Sequence, residues 1–329
     1  MFLLFLKIIR RLFKSIGKKE DKLNQLITFY NFKNNIFKYK IKNQKKINVI
    51  DNYDNIKIVT AITFFFNKAK LDNLNKICNS LKKISKNNRI FIFTNKISEK
   101  QKNLIKKKIS VKINIKIINQ ILNDRLLPWY HLILMKKFFL DKSITHFIYL
   151  EDDIYFSKKN FSYWLQSRAI LKKFNLIPGF LRTEINKKNK KIYAADVEHN
   201  MKIKLLPNIK LNNNYSFINH HFPYQGMYLY DRELMKEHLF GASSNPDCGH
   251  GAFDISKLDK RMINLDLMAK ANIGLTYMNV PIGFFNRNVI LYNTQKKIID
   301  DKCYISHLSN RYANEHSSFG NIKVKNIFI

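Results

Sequence analysis

Between residues 56 and 156 the chain switches repeatedly between two hydrophobic periods, and that alternation restricts its fold more than any other feature. "IKIVTAITFFF" (56–66) is an unbroken β-branched and aromatic run, the pattern of a strand buried on both faces. "NKAKLDNLNKICNSLKKI" (67–84) then spaces Leu71, Leu74, Ile77 and Leu81 along one face of a helix. The pairing recurs with "RIFIFTN" (89–95) before "SEKQKNLIKKK" (98–108), and with "VKINIKII" (111–118) before "PWYHLILMKKFFLDK" (128–142), where Pro128 suits a helix start. "HFIYLEDDIYF" (146–156) supplies a fourth strand. Continuous apolar strands joined through helices predict an α/β domain whose mixed, mostly parallel sheet is flanked by helices.

The texture changes after the helix expected in "KKNFSYWLQSRAILKKF" (158–174). "PGFLRTEI", "KKIYAADV" and "YQGMYLY" read as shorter, more antiparallel strands, with the Asn-rich "LPNIKLNNN" separating them. "DRELMKEHL" (231–239) and "ISKLDKRMINLDLMAKAN" (255–272) are predicted helices, and the last third is mixed strand and loop.

The first 54 residues lie outside this pattern. In "MFLLFLKIIRRLFKSIGKK" the residues Lys7, Arg10, Arg11 and Lys14 interrupt the apolar positions, so no run approaches the roughly 20 residues that span a bilayer. No small-residue cleavage site follows, which argues against a signal peptide. A basic amphipathic helix over residues 1–16, lying on an anionic membrane surface, fits the spacing better. Residues 17–54 are rich in Lys and Asn and read as a linker, so the compact unit is expected over 55–329.

The formal net charge of +35 raises nucleic-acid binding as a possibility. Yet of the 59 basic residues 49 are lysine and 10 arginine, dispersed along the chain. Arginine is the residue that forks onto phosphate and guanine edges, so this balance predicts a solvated lysine surface with no nucleic-acid partner. Cys78, Cys248 and Cys303 are odd in number and far apart, which predicts reduced thiols in a cytoplasmic protein.

Against that basic background Glu151, Asp152 and Asp153 stand in a row. Such a triplet can be a plain solvated turn. Here an apolar strand precedes it, and Ile154 and Phe156 continue the apolar pattern, so the acids interrupt a buried stretch. They also fall at the carboxyl end of a parallel strand, where sheets of this kind bind ligands. Adjacent carboxylates repel one another, and a hard divalent cation shared with substrate phosphates relieves that repulsion.

"FIYLEDDIYFSKKNFSYWL" resembles the acidic metal-site segment of the GT-A-fold glycosyltransferases, and its Glu-first form is similar to the "EDD" of N-acetylglucosaminyltransferase-like members. The resemblance is specific at 146–165 and extends as an order of elements from 55 to about 315. It implies a GT-A-like, Rossmann-type catalytic domain, with a nucleotide-sugar half at 55–157 and a more antiparallel acceptor half at 158–329. It also implies Mn²⁺ or Mg²⁺ held against the diphosphate of a nucleotide-sugar donor. Carried across residue by residue, Asp153 becomes the direct metal ligand, and Glu151 or Asp152 reaches the metal through water or binds the donor ribose. His307 of "YISHLSNRYAN" becomes a further ligand or phosphate partner, with Asn310 and Tyr312 at the same rim. Arg125 and Arg287 become candidates to assist the diphosphate.

An inverting transferase also needs a carboxylate to take the acceptor's proton. The resemblance implies one near a helix start in the second half, where "NPDCGHGAFDISKLDK" offers Asp254 first, with Asp247 and Glu184 of "FLRTE" behind it. Asp254 is equally well explained as a structural N-cap. The aromatics of "HHFPYQGMYLYDREL" could form a sugar-binding face or simply core, and His220 and His221 have no partner at metal-ligand spacing. The implied activity is sugar transfer to a glycan or glycolipid acceptor at the cytoplasmic face of a bacterial membrane, with no protein partner. Two other readings stay open. A sugar nucleotidyltransferase should carry a Gly-rich basic signature after its first strand, which "TAITFFFNKAK" lacks, and a non-enzymatic membrane- or nucleic-acid-binding protein would keep the acids structural.

Overall fold

The computed structural model describes residues 55–119, 121, 123–246, 265–315 and 319–329. Its central sheet is built from β1 (Ile58–Thr63), β2 (Asn88–Asn95), β3 (Ile113–Ile118) and β4 (His146–Glu151), all parallel, in the order β3-β2-β1-β4. Every residue of β1 is buried, as its unbroken apolar run requires of a central strand. The edge strand β3 instead turns Asn114 and Lys116 to solvent, and a lysine there discourages pairing with another chain.

Helices α1 (Leu71–Ile84), α2 (Glu99–Lys108) and α3 (His131–Phe139) connect these strands. In α1 the buried face is Leu71, Leu74, Ile77, Cys78, Leu81 and Ile84, at three- and four-residue spacing. Ser98 and Gln101 cap α2 reciprocally, each side chain bonding the other's backbone N–H. Pro128 lies within a 3-10 turn at Asp124–Tyr130, and α3 proper starts at His131.

The fifth strand of this sheet, β11 in chain order (Met227–Asp231), comes from the second half of the sequence and pairs antiparallel with β4. Asp231 then caps α5 (Arg232–Phe240), accepting from the Leu234 N–H. Between β4 and β11 lie β5 (Ile154–Tyr155), α4 (Lys158–Leu171), β6 (Ile177–Pro178), β7 (Leu181–Ile185), β8 (Ile192–Ala194), β9 (Asn208–Lys210) and β10 (Tyr215–Ile218). After α5 come α6 (Leu267–Ile273), β12 (Asn288–Asn293), β13 (Ile298–Ile299), β14 (Tyr304–His307) and β15 (Ile322–Lys323). One further sheet runs β13-β12-β10-β9 with β6 added on β12, and another runs β15-β8-β7-β14-β5.

"LPNIKLNNN" is more than a separator. It contains β9 and the turn into β10, where Asn212 Oδ1 accepts the N–H groups of Asn214 and Tyr215 at 2.8 and 2.9 Å. Of the helix expected at 255–272, α6 is the described part, and 255–264 lies outside the described residues, as do residues 1–54 and Cys248. Cys78 and Cys303 are free and buried, and burial pushes both thiols up to about 12. The Tyr163–Trp164 pair is core, with the Tyr163 hydroxyl donating to the Gly179 carbonyl at 3.2 Å.

Three buried histidines make the fold sensitive to acid. Burial holds His131 at about 3, His220 at about 4 and His238 at about 3, below the roughly 6.5 of an unfolded histidine. Above pH 6.5 both states are neutral; below it the unfolded chain takes up protons that the fold excludes. Each histidine then removes up to about 1.4 kcal/mol of stability per pH unit. Glu151 and Asp152, raised chiefly by burial to about 7 and about 6, act in the opposite sense but are outnumbered. The melting temperature therefore falls between pH 6.5 and 4 in a buffer series followed by circular dichroism; a flat or rising profile contradicts this account.

Candidate active site

The winding of the central sheet reverses between β1, which leads toward β2 and β3, and β4 on its other side. The register aligns Thr63 with Glu151, so both strands end together and open a crevice at the switch point. The three acids sit at that opening. Strand register then brings distant residues to them. β5, directly after the acids, pairs with β14 so that Ile154 faces His307, and the Leu308 N–H donates to the Asp153 carbonyl at 2.8 Å. β14 in turn runs parallel to β7 with Ser306 against Thr183, which brings Glu184 beside His307. Asn160 steadies this arrangement: capped reciprocally with Ser157 at the start of α4, it donates to the carbonyls of Lys302 and Tyr304 at 2.8 Å.

The three consecutive carboxylates point to three different partners. Glu151 accepts from Asn272 Nδ2 at 2.7 Å and from the Tyr224 hydroxyl at 3.1 Å, with Arg182 Nη1 at 3.9 Å. Asp152 is paired with the ammonium of Lys70 at 2.9 Å. Asp153 Oδ2 lies 3.0 Å from His307 Nε2. β4 ends at Glu151 and the chain turns through Asp152 and Asp153 before β5, so the three side chains leave the backbone in different directions. The expected metal set of Asp153, Glu151 and His307 is thus only partly assembled: Asp153 and His307 meet, and Glu151 is turned toward Tyr224 and Asn272.

Electrostatics separates the three further. Glu151 is pushed up to about 7, first by burial and then by the charge of Asp153. Burial likewise takes Asp152 to about 6 despite Lys70. Burial acts to raise Asp153 too, but the hydrogen bond and charge of His307, with Lys70 and Arg182, outweigh it and hold this carboxyl below its ordinary range. Asp153 is therefore the acid of the trio whose surroundings favour its ionised form. His307 moves the other way: burial opposes its charged form, but the hydrogen bonds to Asp153 and Glu184 prevail and raise it.

A divalent cation fits at Asp153. Its Oδ1 is buried without a hydrogen-bond partner, a state that costs roughly 1–3 kcal/mol and that a cation would relieve. Oδ1 and His307 Nε2 are the atoms suited to hold it. Among the described residues no set of three or more His, Cys, Asp or Glu side chains is arranged to cage an ion. The fit is accordingly for an ion that completes its shell with phosphate oxygens and water.

The other candidates divide. Glu184 is buried, with one oxygen on His307 Nδ1 and the other accepting the Ala313 N–H at 2.6 Å, so both are engaged and it is unsuited as the base. Arg287 is fully buried away from the acids: Nη1 donates to Glu237 Oε1 and Nη2 to Asn175 Oδ1, each at 2.6 Å, and Nε to the Asn175 carbonyl at 3.0 Å. Its guanidinium is committed to protein acceptors, so it is not a diphosphate ligand. Arg125 is exposed on the 3-10 turn before α3. Asp254 and Asp247 lie outside the described residues. Asn310 and Tyr312 do join the rim, Asn310 accepting the Ile185 N–H at 2.8 Å and Tyr312 stacking on His307.

Sequence reasoning misses Lys70, Arg182, Tyr224, Gly226 and Asn272. Arg182, held by both oxygens of Asp196 and lying over the rings of Tyr224 and Tyr312, had a signal: an arginine inside the apolar strand "GFLRTEI" needs a buried partner. Gly226 has φ +64°, and a Cβ there would stand 2.8 Å from Glu151 Oε2 and 3.1 Å from Ile154 carbons. Gly226→Ala therefore combines backbone strain with pressure on both flanks of the acid turn, and should cost roughly 1–3 kcal/mol. Thermal denaturation should show a drop of several degrees; an unchanged midpoint would mean that the turn tolerates a side chain.

No protein-family model and no curated protein matches the sequence. Among solved structures the chain is similar to 4-diphosphocytidyl-2C-methyl-D-erythritol synthase from Anaerococcus prevotii, with a TM-score of 0.30 and 13% identity, covering 64% of this chain and 81% of that one. At that TM-score the likeness carries no argument, and the site is read from its own geometry.

Proposed function

We propose that the protein is a metal-dependent glycosyltransferase that moves a sugar from a nucleotide-sugar donor to a glycan or glycolipid acceptor. The observation that carries this reading is Asp153: an anionic carboxylate at the switch point of a parallel sheet, with one buried oxygen unpartnered and a histidine against the other. In this reading Asp153 and His307 hold Mn²⁺ or Mg²⁺ together with the donor diphosphate. The ion, when bound, supplies Lewis-acid neutralisation of the charge on the leaving nucleoside diphosphate.

The chain's own residues take the remaining roles. Asp152 faces the donor ribose, and Lys70, itself 40% exposed, can turn from Asp152 to a phosphate. Arg125 is a further phosphate partner from the turn before α3. An acceptor hydroxyl forms the new bond to the anomeric carbon as the bond to diphosphate breaks, and its proton passes to a carboxylate, Asp254 first and Asp247 second. Residues 1–16 would hold the enzyme at the anionic inner face of the membrane. No helix among the described residues is long and apolar enough to cross a bilayer.

A thermal-shift screen of common nucleotide sugars, with and without Mn²⁺, tests the reading. A cognate donor at about 100 times its Kd adds about 2.7 kcal/mol, or several degrees in the melting temperature, and does so only with the metal. No shift with any donor would count decisively against the proposal.

A further inference from the structure

We propose that Glu184 is a positioning residue that keeps a ring proton of His307 on Nδ1, so that Nε2, the nitrogen facing Asp153, is the one that can give up its proton to a cation. The inference rests on the reading of Asp153 and His307 as cation ligands. Three observations carry it. Glu184 is buried, and its Oε1 lies against His307 Nδ1. Its Oε2 accepts the buried Ala313 N–H at 2.6 Å, so the carboxylate cannot rotate without orphaning a backbone donor. The other nitrogen, Nε2, donates to Asp153 Oδ2 at 3.0 Å, and this is the proton a cation would displace.

A cation takes the lone pair of Nε2 only if the ring's remaining proton sits on Nδ1. Glu184, an acceptor on both oxygens, requires a donor there. Ser309 Oγ, 3.2 Å from both ring nitrogens, can donate or accept and does not choose between the tautomers. A carboxylate behind a ligating histidine is a general device for setting ring orientation and tautomer. Here register supplies it, since β7 and β14 pair with Thr183 against Ser306.

Glu184→Gln is the informative variant because it reverses the polarity of one contact. The amide oxygen can satisfy the Ala313 N–H, which leaves the NH₂ group facing Nδ1. Nδ1 must then accept, so the ring keeps only its Nε2 proton and cannot release it to a cation. The opposite amide orientation would set NH₂ against the Ala313 N–H and leave a buried donor unpaired.

Two readouts test this on the full chain. In ¹⁵N-histidine-labelled protein without metal, the His307 signals, assigned by their loss in His307→Gln, should show a protonated Nδ1 in the wild type and an unprotonated Nδ1 in Glu184→Gln. In Mn²⁺ titrations with the same nucleoside diphosphate, followed by electron paramagnetic resonance, Glu184→Gln should bind roughly 10–100-fold more weakly, while its melting temperature stays within a few degrees. Glu184→Asp, which keeps two acceptors one methylene further back, should recover part of the affinity and supplies the comparison if the Gln variant does not fold. Wild-type Mn²⁺ affinity with Nδ1 still protonated in Glu184→Gln overturns the inference. Absence of Mn²⁺ binding by the wild type overturns the metal reading itself, and the metal-free spectra still decide whether Glu184 sets the tautomer.

Discussion

If the protein is the proposed transferase, Asp153→Ala should abolish the metal-dependent stabilisation by donor and lower donor turnover by at least about 100-fold, on the order of 2.7 kcal/mol of transition-state stabilisation. The size of the effect follows from what Asp153 alone provides. It is the one acid of the trio whose ionisation its surroundings favour, it carries the buried unpartnered oxygen, and it is the one facing His307. Asp153→Asn separates charge from shape: it keeps an acceptor for His307 but removes the anion, and should lose the Mn²⁺-dependent shift almost as completely. Asp152→Asn, which disturbs a pair with a half-exposed lysine, should weaken donor binding far less. The two readouts are thermal shift and donor hydrolysis. A Mn²⁺-dependent shift that survives in Asp153→Ala would remove Asp153 from the metal site.

Arg287→Ala has its effect on folding instead. The guanidinium is enclosed, with Asn175 and Glu237 as its partners, and Asn175 sits in a left-handed backbone conformation at φ 55°. Truncation empties a buried site and leaves the partly solvated Glu237 without its cation, at a cost of roughly 3 kcal/mol. For a domain of this size that corresponds to a fall of about 10 °C in melting temperature. Arg287→Lys should rescue little, because an ammonium cannot fork onto Asn175 and Glu237 together. Donor affinity of the folded fraction, measured well below the transition, should be unchanged. A large loss of donor affinity with an intact melting temperature would return Arg287 to the phosphate site.

These two outcomes mark where the sequence was readable. The parallel sheet was legible because β1, the middle of β2 and β4 are apolar runs and α1 repeats its apolar face between them. The hairpin of β9 and β10 was not, because strands of three and four residues carry too little periodicity beside an asparagine run. The acid cluster was found by its position at a strand end. Its division among Tyr224, Lys70 and His307 was not legible, because it depends on the turn through Asp152 and Asp153 and on partners that distant elements supply. Glu184 was expected only as a reserve candidate for the base, and its place behind His307 depends on the pairing of β7 with β14, which no local pattern encodes. Arg287 stood among "FFNRNVILYN", and that apolar company was itself a sign of burial.

The pairing of β14 with β5 and β7 also has a temporal side. Asp153 and His307 are separated by 154 positions, and Glu184 and His307 by 123, so their contacts close some of the longest loops in the domain. Contacts of such separation form late, after local helices and neighbouring strands. During synthesis the parallel sheet can assemble while β14 is still inside the ribosome, and a chain halted before Tyr304 would own the acids but not the histidine that faces them. The Asp153–His307 contact is thus complete only once β14 has joined the sheet, and a ligand that recognises both residues would report on completed folding as well as on chemistry.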